Sequence, residues 1–577
     1  MLHAFDTSRK YIAFIARYKQ YILPLFVIGF LSSLFRVALP YLSKYLIDAS
    51  FLKKDMSVFI KVSAVSVILF FTSLIFRGIE GIVRNRMQVQ IKYRISRVFL
   101  RKIFMLDMFF FQCFSTGENI YRITDTERVS IFLSEQVPRA LVDGVLFLCM
   151  LGLSFFISPL LTLPLIFLLP LAVYRYVFVY GKRWEIFKEI WKTQARLYKI
   201  MEEILFRIFI IKAFRNEFLV RQKYMKSLLV SLRLKAKNAR FLLMTSLGSD
   251  LFFQGFLGGI SVLGGWMIIK GRLSLGQYTA FLLYAGQLVF LAGSLSSFLS
   301  QIMQDVFSTN KFLEIMQMQP TIKEIPLAHQ IGRFNKGIEF NRVTFGYQPD
   351  KHILENLSFK MPAGHWYALV GPSGCGKTTI VSLLLRLYDL GGGEIVIDDY
   401  RLSEVALNSL GKNIAIAPAE PFLFDGSLKD NITCAVKSLS KQTIEEAARA
   451  AQIHDFIINL PLSYDTVIGE NAFQLSEGQK QKIAIARALV RQPKILILDE
   501  AMASLDSESE SRIIEGIRKL NIPLVIIISH RLSTVMACEY ARYIKTKNTI
   551  VSSTPSALLE NDRDFRALFN PQINKHA

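Results

Sequence analysis

Between Tyr21 and Met303 the chain holds six stretches long and apolar enough to cross a lipid bilayer, and nothing constrains its fold more. Water does not reach a bilayer core, so backbone N–H and C=O groups there must pair within a helix or around a closed barrel. Apolar runs of roughly 20 residues therefore predict helices. They fall at about 21–50, 58–82, 241–269 and 277–303, with one further run, 140–180, too long for a single crossing. Ser158-Pro159 divides that run into a third and a fourth span, because a proline disfavours helix in the residue before it.

Charge supplies the orientation. Residues 1–330 carry 41 Lys and Arg against 19 Asp and Glu, whereas 331–577 carry 28 against 27. The basic half is thus the apolar half, which fits a polytopic membrane domain with basic cytoplasmic loops and argues against a nucleic-acid partner. Arg84 to Lys102, after the second span, and Lys182 to Arg240, after the fourth, hold most of the excess. The positive-inside rule places both segments and both termini in the cytoplasm. Both keep helical apolar spacing, so they predict membrane helices that continue beyond the bilayer. The first residues carry no secretory leader, so the run from Ile22 reads as a span. The five cysteines show no CxxC spacing and suggest free thiols in a reducing compartment.

Ionisable residues inside spans are costly and mark function by default. Arg36, Asp143 and Asp250 are therefore candidates for a substrate cavity. Arg36 suits either an anionic head group or an acid on a neighbouring helix. Arg77 and Glu80, three apart on one helical face, predict an ion pair with each other.

The chain divides into a membrane domain, 1–310, a polar linker with two prolines, 311–337, and a second domain, 338–577. In the last, HWYALV, EIVIDD, KNIAIA, KILILDE and PLVIIISH alternate with amphipathic helical segments. That alternation predicts an α/β domain with a largely parallel, buried sheet. The fold class is therefore a polytopic α-helical membrane domain joined to an α/β domain.

The second domain carries the chemistry. Gly371-Pro372-Ser373-Gly374-Cys375-Gly376-Lys377-Thr378-Thr379 follows a strand and opens a helix, the context a phosphate-binding loop requires. The glycines let backbone N–H groups turn toward phosphates, and the helix N-terminus adds a positive dipole. Lys377 would meet the β- and γ-phosphates, and the Thr378 hydroxyl would ligate Mg²⁺. Asp499 and Glu500 end an apolar strand 128 residues after Gly371. Asp499 would hold the Mg²⁺ shell, and Glu500 would orient or deprotonate the attacking water. Leu475-Ser476-Glu477-Gly478-Gln479 opens another helix whose N-terminus suits a phosphate. Cys375 lies among cationic and helix-dipole groups, which predicts a lowered thiol pKa; a small residue tolerated in the loop is the plainer reading.

Together these residues resemble the ATP-binding-cassette family, and six spans before one nucleotide domain resemble an exporter-type half-transporter. The resemblance implies that Tyr347 stacks on adenine and that Leu475–Gln479, with Glu477 where glycine is commoner, contacts the γ-phosphate of ATP held by the other subunit. It implies that Ser504-Leu505-Asp506 links the two sites and that His530 senses the γ-phosphate. Ala419 stands where the family usually has a glutamine that meets Mg²⁺ and water, which implies altered hydrolysis. Segments 116–126 and 212–217 match the tips that dock membrane and nucleotide domains. The implied function is ATP-hydrolysis-driven export or flipping of an amphipathic, lipid-like or peptide substrate, by alternating access. The implied assembly is a dimer, with a second copy of this chain favoured and a different partner chain open. A bacterial inner membrane is the expected location. An importer on the same fold, for example for a metal–siderophore complex, and an ATP-binding regulatory subunit of low turnover are the alternatives.

Overall fold

The computed structural model describes residues 15–51, 54–113, 119, 126–166, 168–348, 351–434, 436, 439–469 and 475–573. They divide into two units, Met1–Leu106 with Phe110–Gln319, and Asp107–Phe109 with Pro320–Ala577.

The first unit is helical. Its long helices are α1 (Lys19–Tyr45), α2 (Met56–Phe104), α3 (Val137–Ile157), α4 (Leu168–Phe206), α5 (Glu217–Ile269) and α6 (Leu275–Gln317). Among the described residues, five helical stretches are long and apolar enough to cross a membrane: Lys19–Ser50, Met56–Phe104, Thr126–Ile157, Glu217–Ile269 and Leu275–Leu295. The fourth expected span falls on Pro159–Ile166 and α4, where the side chains of 167–184 lie outside the described residues. The break before it is present: Ser158 is extended (φ −156°, ψ 103°) and the next helix starts at Pro159. α2 runs for 49 residues and α5 for 53, well past the roughly 20 of one crossing, as the helical spacing of the basic segments predicts. On α2, Phe70, Phe71, Ile75 and Ile82 are exposed, a surface suited to lipid.

One local difference from expectation stands out, and two further segments are those expected at the docking tips. α6 continues to Gln317, so 311–317 is helix and not linker. Segment 116–126 lies almost wholly outside the described residues. Segment 212–217 spans the join of the helices Ile208–Ala213 and Glu217–Ile269, with Arg215 at φ 52° in the turn and Lys212 paired to Glu217 at 3.1 Å.

Helix packing explains the interior. Phe281, Tyr284 and Leu288 of α6 share one buried cluster with Leu146, Phe147 and Met150 of α3. The Tyr284 hydroxyl donates to the Val37 carbonyl at 2.7 Å, so its polar end is satisfied as buried tyrosines require. Asp48, just past α1, accepts from the Ser274 hydroxyl and from the Gly276 N–H at 2.8 Å, which places a carboxylate at the N-terminus of α6. Gly276 is needed there: a Cβ would meet the Asp48 carboxyl at 2.5 Å.

Among its described residues the second unit carries twelve strands: β1 (Gly337–Phe345), β2 (Leu354–Pro362), β3 (His365–Val370), β4 (Gly392–Ile397), β5 (Tyr400–Arg401), β6 (Ile414–Ala417), β7 (Gly426–Ser427), β8 (Val467–Ile468), β9 (Ile495–Asp499), β10 (Leu524–Ile528), β11 (Tyr540–Thr546) and β12 (Thr549–Ser553). One sheet runs β12-β11-β3-β10-β9-β6, a second β2-β1-β4-β5, and β7 pairs with β8. In the six-stranded sheet β11, β3, β10, β9 and β6 are parallel. The EIVIDD segment, expected in that sheet, forms β4 of the antiparallel one instead. Side chains of the parallel strands alternate between two cores: Leu496, Leu498, Val525 and Ile527 enter one, Ile495, Ile497, Ile526 and Ile528 the other. Burial on both faces accounts for unbroken apolar strands, at about 1.5–3 kcal/mol for each large side chain.

Candidate nucleotide site

Strand register gathers the predicted residues at one edge. Ile528 of β10 sits opposite Leu369 of β3 and Asp499 of β9, and Ala417 of β6 opposite Leu498. Beyond that row the chain continues into the glycine loop after β3, Glu500 after β9, Ser529-His530 after β10 and Pro418-Ala419 after β6. Ligands of open α/β sheets bind at this carboxyl edge.

In the loop, Gly374 (φ 79°) and Gly376 (φ 103°) take left-handed conformations that side chains disfavour. A Cβ on Gly371 would meet the Cys375 sulfur at 2.6 Å and the Ile544 carbonyl at 2.8 Å. Helix Lys377–Leu384 starts at Gly376, so its first N–H groups face the loop. Lys377 is buried, and its ammonium donates to the Gly371 and Pro372 carbonyls at 2.8 and 3.0 Å. Pro372, Ser373 and Thr378 are exposed and Thr379 is buried. Tyr347 lies beside this loop, its hydroxyl 3.4 Å from that of Thr379, with its ring edge-on to Phe345 and Tyr388.

Asp499 is buried; desolvation and the neighbouring Glu500 push its carboxyl up, and Lys377 pulls it down. Glu500 takes φ 50°, rare for a side chain, with its N–H donating to the Ile528 carbonyl at 2.9 Å. Its Oε1 lies 3.3 Å from His530 Nε2, and both side chains are partly open to solvent. The structure thus joins Glu500 to His530 directly.

Ser476 caps helix Glu477–Leu489: its hydroxyl accepts from the Gln479 N–H at 3.2 Å, and the Gln479 side chain accepts from the Ser476 N–H at 2.9 Å. Leu475 is half-buried and Glu477 pairs with Lys480 at 2.8 Å. Gly478 packs on the Ser504–Asp506 loop, where a Cβ would lie 3.3 Å from Leu505. Asp506 caps the helix Ser507–Arg518, and the Ser509 N–H holds its carboxyl below the usual range. Among the described residues no hydrogen bond or ion pair joins Leu475–Gln479 to the Gly371–Thr379 loop of the same chain. Ala419 is exposed, and its carbonyl accepts from buried Gln481 at 2.5 Å.

Cys375 departs from expectation. Burial pushes its thiol up, and the opposing pull of Lys377 is the smaller effect. At neutral pH its thiolate fraction is therefore below that of an ordinary cysteine. Alkylation of Cys375 by N-ethylmaleimide, followed by peptide mass spectrometry, should be slower than that of free cysteine at pH 7 and rise with pH beyond the ordinary thiol range. A rate at pH 7 above that of free cysteine would contradict this.

In the membrane unit, Arg36 and Asp143 line one cavity of about 380 Å³, together with Arg77, Glu80, Glu135 and Arg139. Asp250 lies on α5, its side chain outside the described residues. Glu80 does not pair with Arg77. It accepts from the Ser32 hydroxyl at 2.7 Å and lies 3.9 Å from Arg84, one turn further along α2. Sequence reasoning missed Arg139, although its place four residues before Asp143 puts both on one helical face. It also missed Glu510 and Gln572, which hold the His530 loop from distant helices and carry no local signal.

Residues 22–292 match the family described as the ABC transporter transmembrane region, and 354–503 match that described as ABC transporter. The mouse (Mus musculus) ABC-type oligopeptide transporter ABCB9 is 32% identical over 543 residues, 93% of this chain and 71% of that protein. The ATP-dependent lipid A-core flippase of Desulfotalea psychrophila is 31% identical over 542 residues, 92% of this chain and 93% of that protein. A bacterial Atm1-family ABC exporter solved with ATP bound shares the fold, with a TM-score of 0.88 and 24% identity across 96% of this chain and 99% of that one.

Proposed function

The chain belongs to the ABC transporter family and exports or flips its substrate at the expense of ATP, and from that premise we propose that two copies of it form the working unit. Each ATP would lie between one chain's Lys377 and the partner's Ser476. Tyr347 would stack on adenine, the backbone of Gly371–Gly376 would cradle the phosphates, and Ser504–Asp506 would relay between the two sites. Mg²⁺ fits the oxygens present: an exposed hydroxyl at Thr378 and a buried carboxylate at Asp499 whose charge wants a cation. When bound, it would neutralise charge on the phosphates. Glu500 would take the proton of the attacking water, and His530, on its carboxylate, would report the γ-phosphate. The Glu500–His530 contact at 3.3 Å is the observation that carries this assignment.

The exposed, capped Ser476 supports the two-chain reading, because it has no partner in its own chain's phosphate loop. We take the domains as 1–310 and 338–577, joined through 311–337, of which 311–317 is helix. The chain is a multi-pass membrane protein. A bacterial inner membrane, with the nucleotide domain and both termini in the cytoplasm, agrees with the basic segments flanking the spans. Relatives named as a flippase and an oligopeptide transporter support an amphipathic or peptide substrate over an imported chelate.

The test is reconstitution of the purified chain alone. We expect a species of twice 65.9 kDa that hydrolyses ATP in liposomes. A monomer without turnover, active only after another chain is added, would replace the homodimer with a heterodimer or the low-turnover reading that Ala419 suggests.

A further inference from the structure

Residues 320–337 lie clamped along the nucleotide domain as a strap. The His329 N–H donates to the Glu404 carbonyl at 2.8 Å, and its carbonyl accepts from the Ala406 N–H at 2.9 Å. Ile331 and Phe334 are buried in the cluster that also holds Ile380 and Leu383, on the helix Lys377–Leu384 that follows the phosphate loop. The strap's first residues are held too: Asp107 accepts from the Thr321 N–H at 2.6 Å and from its hydroxyl. The chain leaves the helical unit at Leu106, two residues past α2, and at Gln319, two past α6, so both departures end at this strap.

One side chain ties the strap to the phosphate loop. The helix that opens at Lys377 runs eight residues, about 12 Å, and ends in a left-handed turn at Arg386 (φ 52°). The Arg386 N–H donates to the Leu383 carbonyl and the Leu387 N–H to the Ser382 carbonyl, both at 2.9 Å. Glycine is the usual residue in such a turn, because a side chain there is strained. An arginine at this place is explained by its side chain and not by its backbone. The guanidinium is 5% exposed, donates to the Lys323 carbonyl of the strap and to the Val405 carbonyl, both at 3.1 Å, and lies 3.7 Å from the Asp389 carboxylate. A short helix thus begins on the ammonium that would meet the phosphates and ends on the guanidinium that holds the strap. Ala419, at the same sheet edge, has no side chain that could report the nucleotide.

We propose that Arg386 relays nucleotide occupancy from the phosphate loop to the strap, and through the strap to the segments that continue into α2 and α6. Phosphates held by Lys377 and the first N–H groups of the helix displace its near end, and over two turns the far end moves with it. The strap cannot take up that movement as slack. It is fixed on both sides of Lys323, at Thr321 by Asp107 and at Glu324, whose carboxylate accepts from the Leu407 N–H at 3.1 Å. Coupling of this kind needs a contiguous chain of packed and hydrogen-bonded groups, and Lys377, the helix, Arg386 and the strap form one. Arg386 is a positioning residue, since it touches neither nucleotide nor water. The inference rests on the exporter reading, because only a chain whose membrane helices respond to ATP has something to relay.

Hydrogen–deuterium exchange of the full-length protein in lipid nanodiscs, with and without AMP-PNP and Mg²⁺, reads both ends of the relay. In the native chain AMP-PNP should slow exchange in Gly371–Thr379 and also change it at the ends of α2 and α6 that lead to the strap. Arg386→Gln should keep the slowing at the loop, at the same AMP-PNP concentrations, and lose most of the change in α2 and α6. A side chain that only braced the fold would lose both or neither. Arg386→Lys keeps a buried cation able to reach one carbonyl, so it should retain part of the change, and it decides the matter if Arg386→Gln melts below the assay temperature. A full α2 and α6 response in folded Arg386→Gln, or in Arg386→Lys where that variant alone folds, would overturn the relay and leave the exporter reading standing. Loss of loop protection in step with the α2 and α6 response would overturn it too, by making Arg386 a brace of the phosphate loop. A native chain that binds AMP-PNP with no response in α2 and α6 would overturn alternating access, and the relay with it.

Discussion

ATP turnover falls roughly 10²- to 10⁴-fold in a Glu500→Gln variant, the range that loss of a general base produces, while ATP binding is kept. Glutamine has the size of glutamate and can still accept from His530 Nε2, 3.3 Å away in the native chain. It cannot hold a proton taken from water. The backbone at residue 500 is unusual, with φ 50° and an N–H fixed to the Ile528 carbonyl, so an isosteric change leaves that geometry undisturbed. Lys377→Ala should behave differently. It removes a buried ammonium from the phosphate loop, so nucleotide binding itself should fail. Phosphate release in liposomes reads turnover, and a fluorescent ATP analogue reads binding. Glu500→Gln turnover within a few-fold of the native rate would reduce Glu500 to a residue that orients water. Equal loss of binding in both variants would mean that the Asp499-Glu500 turn shapes the phosphate loop.

Local backbone form was legible in the sequence, and contacts made across the fold were not. Gly371–Thr379 takes the form of a glycine loop opening a helix, as its sequence predicts, because the conformations at Gly374 and Gly376 are demanded by the loop itself. Five of the six spans are found among the described residues, because bilayer thickness sets their minimum length, but nothing in that argument sets a maximum. α2 accordingly runs to Phe104 and α6 to Gln317, beyond the apolar stretches that announce them. EIVIDD has the apolar pattern of a buried strand, and pattern alone does not say which sheet a strand joins. Cys375 fails for a related reason: the sequence shows its cationic neighbours, but not the burial that outweighs them. Arg77 and Glu80 share a helical face, yet Ser32, 48 residues earlier, takes the carboxylate. The cavity of Arg36, Arg77 and Arg139 needs three helices to exist, and no local window contains it.

Glu510→Ala should strongly destabilise the nucleotide domain while leaving every phosphate-contacting residue in place. Its side chain is 3% exposed and accepts from Arg531 at 2.7 Å, from Ser533 at 3.3 Å and from Thr534. These donors follow His530 directly, so Glu510 fixes the segment that carries the histidine. Removing one partner of a buried, hydrogen-bonded ion pair costs about 3–5 kcal/mol; Arg531 is 34% exposed, which favours the lower end. For a domain of this size, about 3 kcal/mol lowers the melting temperature by roughly 6–12 °C. Gln572, on the helix Arg563–Ile573, grips the same segment from its other side: it donates to the His530 carbonyl and accepts from the Leu532 N–H, both at 2.7 Å. Its two bonds are neutral and worth about 1 kcal/mol each, so Gln572→Ala should lower melting by roughly 4–8 °C, less than Glu510→Ala. It should also lower kcat several-fold at unchanged KM, because it frees the backbone that aims His530 at Glu500. Gln572→Glu keeps the acceptor for Leu532 and loses the donor to His530, so it separates the two bonds. If aiming is what matters, Gln572→Glu lowers kcat as much as Gln572→Ala does. A kcat for Gln572→Glu equal to the native one would assign the positioning to Leu532, and melting loss in both variants without kinetic change would make the C-terminal helix a structural brace only.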